Sequence, residues 1–159
     1  LVRKFTVTYN PRLHIVLVEP EIPNNTGNVG RTCVATETSL TLIKPMGFEI
    51  TDAKLKRAGL DYWQHLQWTT LDSIHDLPAG RKVYFSAHAK HSIYDFQFKE
   101  GDFLVFGKES KGLSPELIRD NFETSVFIPT PGLVRSLNMA TAVAVSVYEA
   151  LRQIRYSKT

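Results

Sequence analysis

The sequence predicts an α/β fold: a mainly parallel sheet with helices on both faces. Short runs such as "LHIVLVEP" (13–20) and "DFLVFG" (102–107) are apolar without alternation, as strands buried on both faces are. Stretches with helical spacing and helical start signals stand between these runs, so strand and helix alternate as in βα units. A chain of 159 residues can bury a core of its own without disulfide or metal staples.

The first strand, 13–20, ends at Pro20. The polar stretch "EIPNNTGNVGRT" (21–32) leaves it and leads into a helix over 28–39, with Val29, Cys33 and Val34 inward and Thr26 or Asn28 as cap. "LTLIKP" (40–45) reads as a second strand, again closed by proline. "TDAKLKRAGL" (51–60) reads as a short helix beginning near Thr51 or Asp52 and ending near Gly59, and "LDSIHDL" (71–77) as another. "KVYFSA" (82–87) and 102–107 are the next strands. "SPELIRDNF" (114–122) places serine at the cap and proline at the first helical position, a strong start signal. "TSVFIP" (124–129) is a fifth strand, and "SLNMATAVAVSVYEALRQIRY" (136–156) the longest helix. No repeat, low-complexity segment or linker divides the chain. Residues 13–159 are expected to form one domain, with 1–12 as a loosely attached extension.

The last helix is apolar on more than one side. Leu137, Met139, Ala140, Ala142, Val143, Ala144, Val145, Val147, Ala150 and Leu151 exceed the single stripe of a monomer's surface helix. Its own sheet covers one face, and a second subunit is the expected cover for another, with Val143 or Val147 at the contact.

Composition narrows function only a little. Lys plus Arg outnumber Asp plus Glu by 19 to 16, a net charge of +3 that permits an anionic partner such as RNA without requiring one. The single cysteine, Cys33, fits a reducing, cytoplasmic setting. The opening "LVRKFTVTYNPR" lacks the apolar core and cleavage site of a signal peptide, and polar residues interrupt every apolar run short of a membrane span.

Three stretches after strands carry the candidate chemistry, which open α/β sheets place beyond the carboxyl ends of their strands. In "NNTGNVGR" the spacing of Gly27 and Gly30 is neither a Walker loop nor a dinucleotide fingerprint, and either a turn or a ligand would explain the glycines. Arg31, read as lying in the first helical turn, opposes the helix dipole and so calls for an anionic partner. "FGKESKGLS" (106–114) is either a solvated connection or a ligand loop. "IPTPGLVRSLNMA" (128–140) is stiffened by Pro129 and Pro131, and Ser136 serves as a cap or as a ligand contact. His88 and His91 form H-x-x-H, but two ligands with no third nearby make a poor site, so no metal is expected.

In order and spacing these stretches resemble the three signature motifs of SPOUT-superfamily RNA ribose methyltransferases. The sequence is most similar to the TrmL/YibK-type tRNA (cytidine/uridine-2′-O-)-methyltransferases, which begin like "EPEIPNNTG", continue like "KPMGFEITDAKLKRAGLDYW" and end on a helix like "SLNMATAVAVSVYEALRQ". The resemblance runs from Leu13 to Tyr156. It implies a C-terminal trefoil knot, which pattern reasoning would never propose, and a homodimer. It also implies transfer of a methyl group from S-adenosyl-L-methionine to a ribose 2′-hydroxyl of tRNA, with a cytidine or uridine at the anticodon wobble position as the expected target. A non-catalytic RNA- or nucleotide-binding module of the same fold is the alternative, and the missing fingerprint disfavours a small dehydrogenase.

The implied cofactor contacts are Ser86, with Ala87 beside it, then Gly107, Glu109, Gly112, Ile128, Ser136, Leu137 and Asn138. Glycine at 107 would let the backbone approach the adenosine. Arg31 is the expected catalytic residue on the substrate side, since a guanidinium stays charged and can stabilise a developing alkoxide. Tyr148, in the apolar last helix, is either a second catalytic group or a packed aromatic. Lys54, Lys56, Arg57 and Arg135 are candidate phosphate contacts.

Overall fold

The computed structural model describes residues 10–51, 53 and 61–156. Its sheet has seven parallel strands: β1 (His14–Val18), β2 (Ser39–Ile43), β3 (Trp68–Leu71), β4 (Lys82–Phe85), β5 (His91–Ser92), β6 (Phe103–Phe106) and β7 (Ser125–Phe127). Across the sheet they run β3-β2-β1-β6-β4-β7-β5. β1 pairs on one side with β2, His14 opposite Ser39, and on the other with β6, His14 opposite Phe103. The expected fold class is therefore the observed one.

The continuous apolar runs have their physical reason in two cores, one on each face of the sheet. Ile15, Leu17, Leu40, Leu42, Val83, Phe85, Leu104 and Phe106 point into the larger core. There they meet α1 (Pro23–Thr36) and α3 (Met139–Tyr156). Val16, Ile43, Tyr84, Phe103 and Val105 point the other way, against Leu77 and against Ile118 of α2 (Pro115–Asp120). Alternate residues of one strand thus serve opposite cores.

α2 starts as its sequence predicts: Pro115 occupies the first turn and the Ser114 hydroxyl accepts from the Leu117 N–H at 3.2 Å. The helix expected over 71–77 is only a 3-10 turn, Ile74–Asp76, capped by Ser73. The helix expected over 51–60 lies mostly outside the described residues. No helix among the described residues is long and apolar enough to cross a membrane.

Two corrections concern the helices that frame the site. α1 begins at Pro23, not at residue 28, so "NNTGNVGR" is helix rather than loop, and Thr26 and Asn28 are interior to it. In α3, Val143 and Val147 are fully buried within the chain, against the sheet and α1. They belong to its own core and not to a contact with a second subunit. The outward face carries Val145 and Tyr148, 41% and 60% exposed.

Candidate active site at the carboxyl edge of the sheet

β1, β4, β6 and β7 all deliver their following segments to one edge of the sheet. Glu19 leaves β1 in the left-handed region (φ 52°), and Ile22 then stands extended before Pro23 opens α1. Ile22 has no side chain that could cap a helix, and α1 has no acidic residue in its first turn. A carboxylate from another segment does that work. Glu109 accepts from the Glu21 N–H at 2.8 Å and the Ile22 N–H at 3.2 Å, which sets its charge at the positive end of α1.

The glycines of α1 serve packing rather than a turn. A Cβ on Gly30 would stand 2.4 Å from the Trp63 ring, and the Gly27 carbonyl accepts from the Tyr62 hydroxyl at 2.6 Å. "NNTGNVGR" and "DYW" are thus two halves of one contact.

Asn25 links the three stretches singled out in the sequence. It is 8% exposed, and its amide nitrogen lies 3.5 Å from the Glu109 carboxylate. Its carbonyl oxygen accepts from Asn138 Nδ2 at 3.0 Å. Asn138 in turn caps α3, its oxygen accepting from the Ala140 N–H at 2.9 Å and the Thr141 N–H at 3.3 Å. One chain of side chains, Glu109–Asn25–Asn138, therefore holds the 107–113 loop, the start of α1 and the start of α3 together. Nothing in the sequence marks Asn25 as a hub, because its partners lie 84 and 113 residues away.

The residues expected to contact a cofactor stand on the segments that follow β4, β6 and β7 and at the start of α3. Ser86 follows β4, and its hydroxyl accepts from the His88 N–H at 3.1 Å. Gly107 follows β6, and its need for glycine has a reason within the loop itself: a Cβ there would lie 2.1 Å from the carbonyl carbon of Gly112. The bare backbone is required so that the loop can close on itself, with the Gly112 N–H bonded to the Lys108 carbonyl at 2.8 Å. Gly112 adopts φ +67° and faces open space. The Glu109 carboxylate is taken up by the backbone at the start of α1. Ile128 follows β7 and packs half-buried on the core. Ser136 is exposed and Leu137 half-buried just before α3. Among the described residues, the main chain of residues 129–137 makes no backbone–backbone hydrogen bond. The Arg135 carbonyl accepts from the Thr130 hydroxyl at 3.3 Å, and the other main-chain groups stand beside the exposed side chains of Leu133 and Val134, an arrangement that fits a nucleoside read by main chain and covered by apolar atoms.

Arg31 sits two turns inside α1, exposed, so the dipole argument for an anionic partner does not apply to it. Its guanidinium lies 5.8 Å from the centre of the Tyr62 ring and pairs with no carboxylate among the described residues. Burial pushes the Tyr62 hydroxyl above its ordinary pKa, and the Arg31 charge opposes that shift. Tyr148 is exposed on α3, not buried as a phenol in an apolar helix would be. Arg135 is exposed on the loop before α3. Lys54, Lys56 and Arg57 lie outside the described residues. His91 is held by the Glu123 carbonyl at 3.0 Å. A cavity of about 740 Å³ opens at the opposite, amino-terminal edge, between His14, Trp68, Gly80 and Phe103, and shares no residue with these loops.

This geometry agrees with what the chain matches among known proteins. The SpoU rRNA Methylase family profile covers residues 12–148. The chain belongs to that family. SpoU methylases carry the SPOUT fold, which brings the C-terminal trefoil knot with it. The chain is 46% identical over 148 residues to the tRNA (cytidine(34)-2'-O)-methyltransferase of Acidovorax sp. strain JS42, spanning 88% of this chain and 91% of that one. A solved structure described as giving insights into the 2-OH methylation of C/U34 on tRNA is 51% identical, with a TM-score of 0.81 over 89% of this chain and 95% of that one. The SpoU methyltransferase AviRb from Streptomyces viridochromogenes, solved in complex with the cofactor AdoMet, is 25% identical with a TM-score of 0.77. That match spans 93% of this chain and 60% of AviRb.

Proposed function

We propose that the protein methylates the ribose 2′-hydroxyl of the pyrimidine at tRNA position 34, with S-adenosyl-L-methionine as donor, and that it works as a cytoplasmic homodimer. The observation that carries this reading is the Glu109–Asn25–Asn138 chain. It gathers the 107–113 and 128–138 loops and the helix of Arg31 at one edge, within a family of RNA methylases. The close similarity to enzymes named for cytidine 34 supports the choice of nucleotide.

The roles follow from the chemistry of the groups. The donor supplies an electrophilic methyl, so the protein's work is to align an attack and to favour loss of the hydroxyl proton. The loops after β6 and β7 hold the adenosine end, with Ser86, Gly107, Gly112, Ile128, Ser136, Leu137 and Asn138 around it. Arg31 holds the substrate's phosphate and offsets the charge that develops on the ribose oxygen. Arg135, with Lys54 and Arg57, contacts phosphates further along the RNA. Val145 and Tyr148, one turn apart on the outward face of α3, form the centre of the dimer contact, which makes Tyr148 an interface residue first.

Single-turnover methylation of tRNA, read by nucleoside mass spectrometry, tests the assignment. Wild-type protein should yield 2′-O-methylcytidine or 2′-O-methyluridine at position 34. Arg31→Ala should lose about 2–4 kcal/mol of transition-state stabilisation with little change in S-adenosylhomocysteine affinity. Arg31→Lys should rescue poorly, because an ammonium lacks the planar fork that holds two oxygens. Methylation at another nucleotide, or near-normal turnover in Arg31→Ala, would refute the corresponding part.

A further inference from the structure

The four residues between β1 and α1 are held from three directions. The Glu19 N–H donates to the Ile43 carbonyl at 2.9 Å, and the Gly47 N–H donates to the Pro20 carbonyl at 3.0 Å. A Cβ on Gly47 would stand 3.0 Å from the Glu21 carbonyl oxygen, so that loop presses directly on the segment. From the third side comes the 107–113 loop. Glu109 accepts from the backbone of Glu21 and Ile22, as described above, and the relation is reciprocal. Glu21 Oε1 accepts from the Ser110 N–H at 3.0 Å and from the Ser110 hydroxyl at 2.7 Å. Each segment thus lends a carboxylate to the other's backbone. Glu19 keeps its left-handed conformation, unusual for a residue with a side chain, inside this frame.

We propose that Glu21 is a positioning residue for methyl transfer: it fixes the tip of the cofactor-side loop against the helix that carries Arg31. Ser110 lies at that tip, between Lys108 and Gly112, whose backbones bridge beneath it. Glu109 ties the loop to the start of α1 at one residue, and the two bonds that Glu21 accepts from Ser110 add a second tie at the next residue. The side chain of Glu21 is exposed, so its value lies in orientation more than in stability. The Ser110 bonds, helped by Lys108 and Lys111, hold the Glu21 carboxyl below its usual range, so it stays an acceptor throughout the neutral region.

The assignment rests on the methyltransferase reading, and calorimetry with S-adenosylhomocysteine tests it with a readout other than turnover. Glu21→Ala should weaken binding by about fivefold, the net worth of roughly one hydrogen bond, and lower kcat while the KM for tRNA stays within about twofold. Glu21→Gln keeps an oxygen for Ser110 and should recover most of the affinity. Ser110→Ala should weaken binding in the same direction, and the Glu21→Ala, Ser110→Ala double variant should lose less than the sum. The urea midpoint of Glu21→Ala should match wild type, which a merely structural residue would not allow. A wild-type protein that binds no S-adenosylhomocysteine overturns both readings. A wild type that binds it, beside a Glu21→Ala variant that binds equally well with unchanged kcat, overturns this one alone.

Discussion

Replacing Asn138 by alanine should cost the fold about 2–4 kcal/mol, and the structure says where that cost arises. Its side-chain oxygen caps α3, accepting from the Ala140 and Thr141 N–H groups. Losing such a cap typically costs about 1 kcal/mol. Its amide nitrogen donates to the Asn25 carbonyl oxygen, and Asn25 is only 8% exposed. Removing that donor leaves a buried acceptor unsatisfied, a further loss of about 1–3 kcal/mol. Asn138→Ser separates the two: serine can still cap, so this variant should recover about 1 kcal/mol and keep the deficit at Asn25. In Asn25→Ala, Asn138→Ala the buried acceptor is gone along with its donor, so the double variant should lose less than the two singles together. Urea unfolding at one fixed protein concentration measures wild type and the four variants on the same footing, since the apparent stability of the proposed dimer would depend on concentration. A loss below about 0.5 kcal/mol in Asn138→Ala, or strict additivity in the double variant, would mean that the three segments are not joined through this pair.

Two further outcomes follow from burial and backbone space. Val145→Glu and Tyr148→Glu should sediment as folded monomers, whereas Val143→Glu and Val147→Glu should fail to fold because both valines are fully buried in the chain. If both surface variants remain dimeric, the interface is not on α3. Gly107→Val should lose S-adenosylhomocysteine binding together with native loop structure, because its Cβ would meet the Gly112 backbone at 2.1 Å. Gly112→Ala has open space for its methyl group and pays only the left-handed strain, about 1–2 kcal/mol. Native near-ultraviolet circular dichroism in Gly107→Val would contradict that reading of the loop.

The sequence made the interior of the sheet legible and its edges illegible. β1, β2, β4, β6 and β7 announce themselves because strands buried on both faces must be apolar throughout. β3 reads "WTTL" with its first two residues exposed, and β5 has only two residues, so neither carries that signal. The start of α1 is hidden in the sequence because glycine and asparagine are poor helix formers. The reason for Gly30, the Trp63 ring where its Cβ would stand, becomes visible only once the chain has folded. A helix starting at residue 28 would put Arg31 in its first turn, whereas the start at Pro23 puts it two turns in. In α3 the excess of apolar residues was plain, but the linear pattern could not say which stripe the chain covers itself. That the three stretches share one sheet edge followed from reading the strands as parallel. Their cross-links did not, since Glu21 and Ser110 are 89 residues apart.

The sheet has a polarity that matters for handling the protein. The Arg12 carbonyl accepts from the Gly101 N–H, and the Gln153 side chain bonds the Phe96 carbonyl and the Phe98 N–H, all beneath the amino-terminal ends of the strands. A five-residue strand such as β1 spans about 16 Å from that end to the other. A dye, a surface tether or a grafted domain joined next to Arg12 or Gln153 would therefore stand at the far end of the sheet, leaving the opposite face clear for a ligand as bulky as a folded RNA.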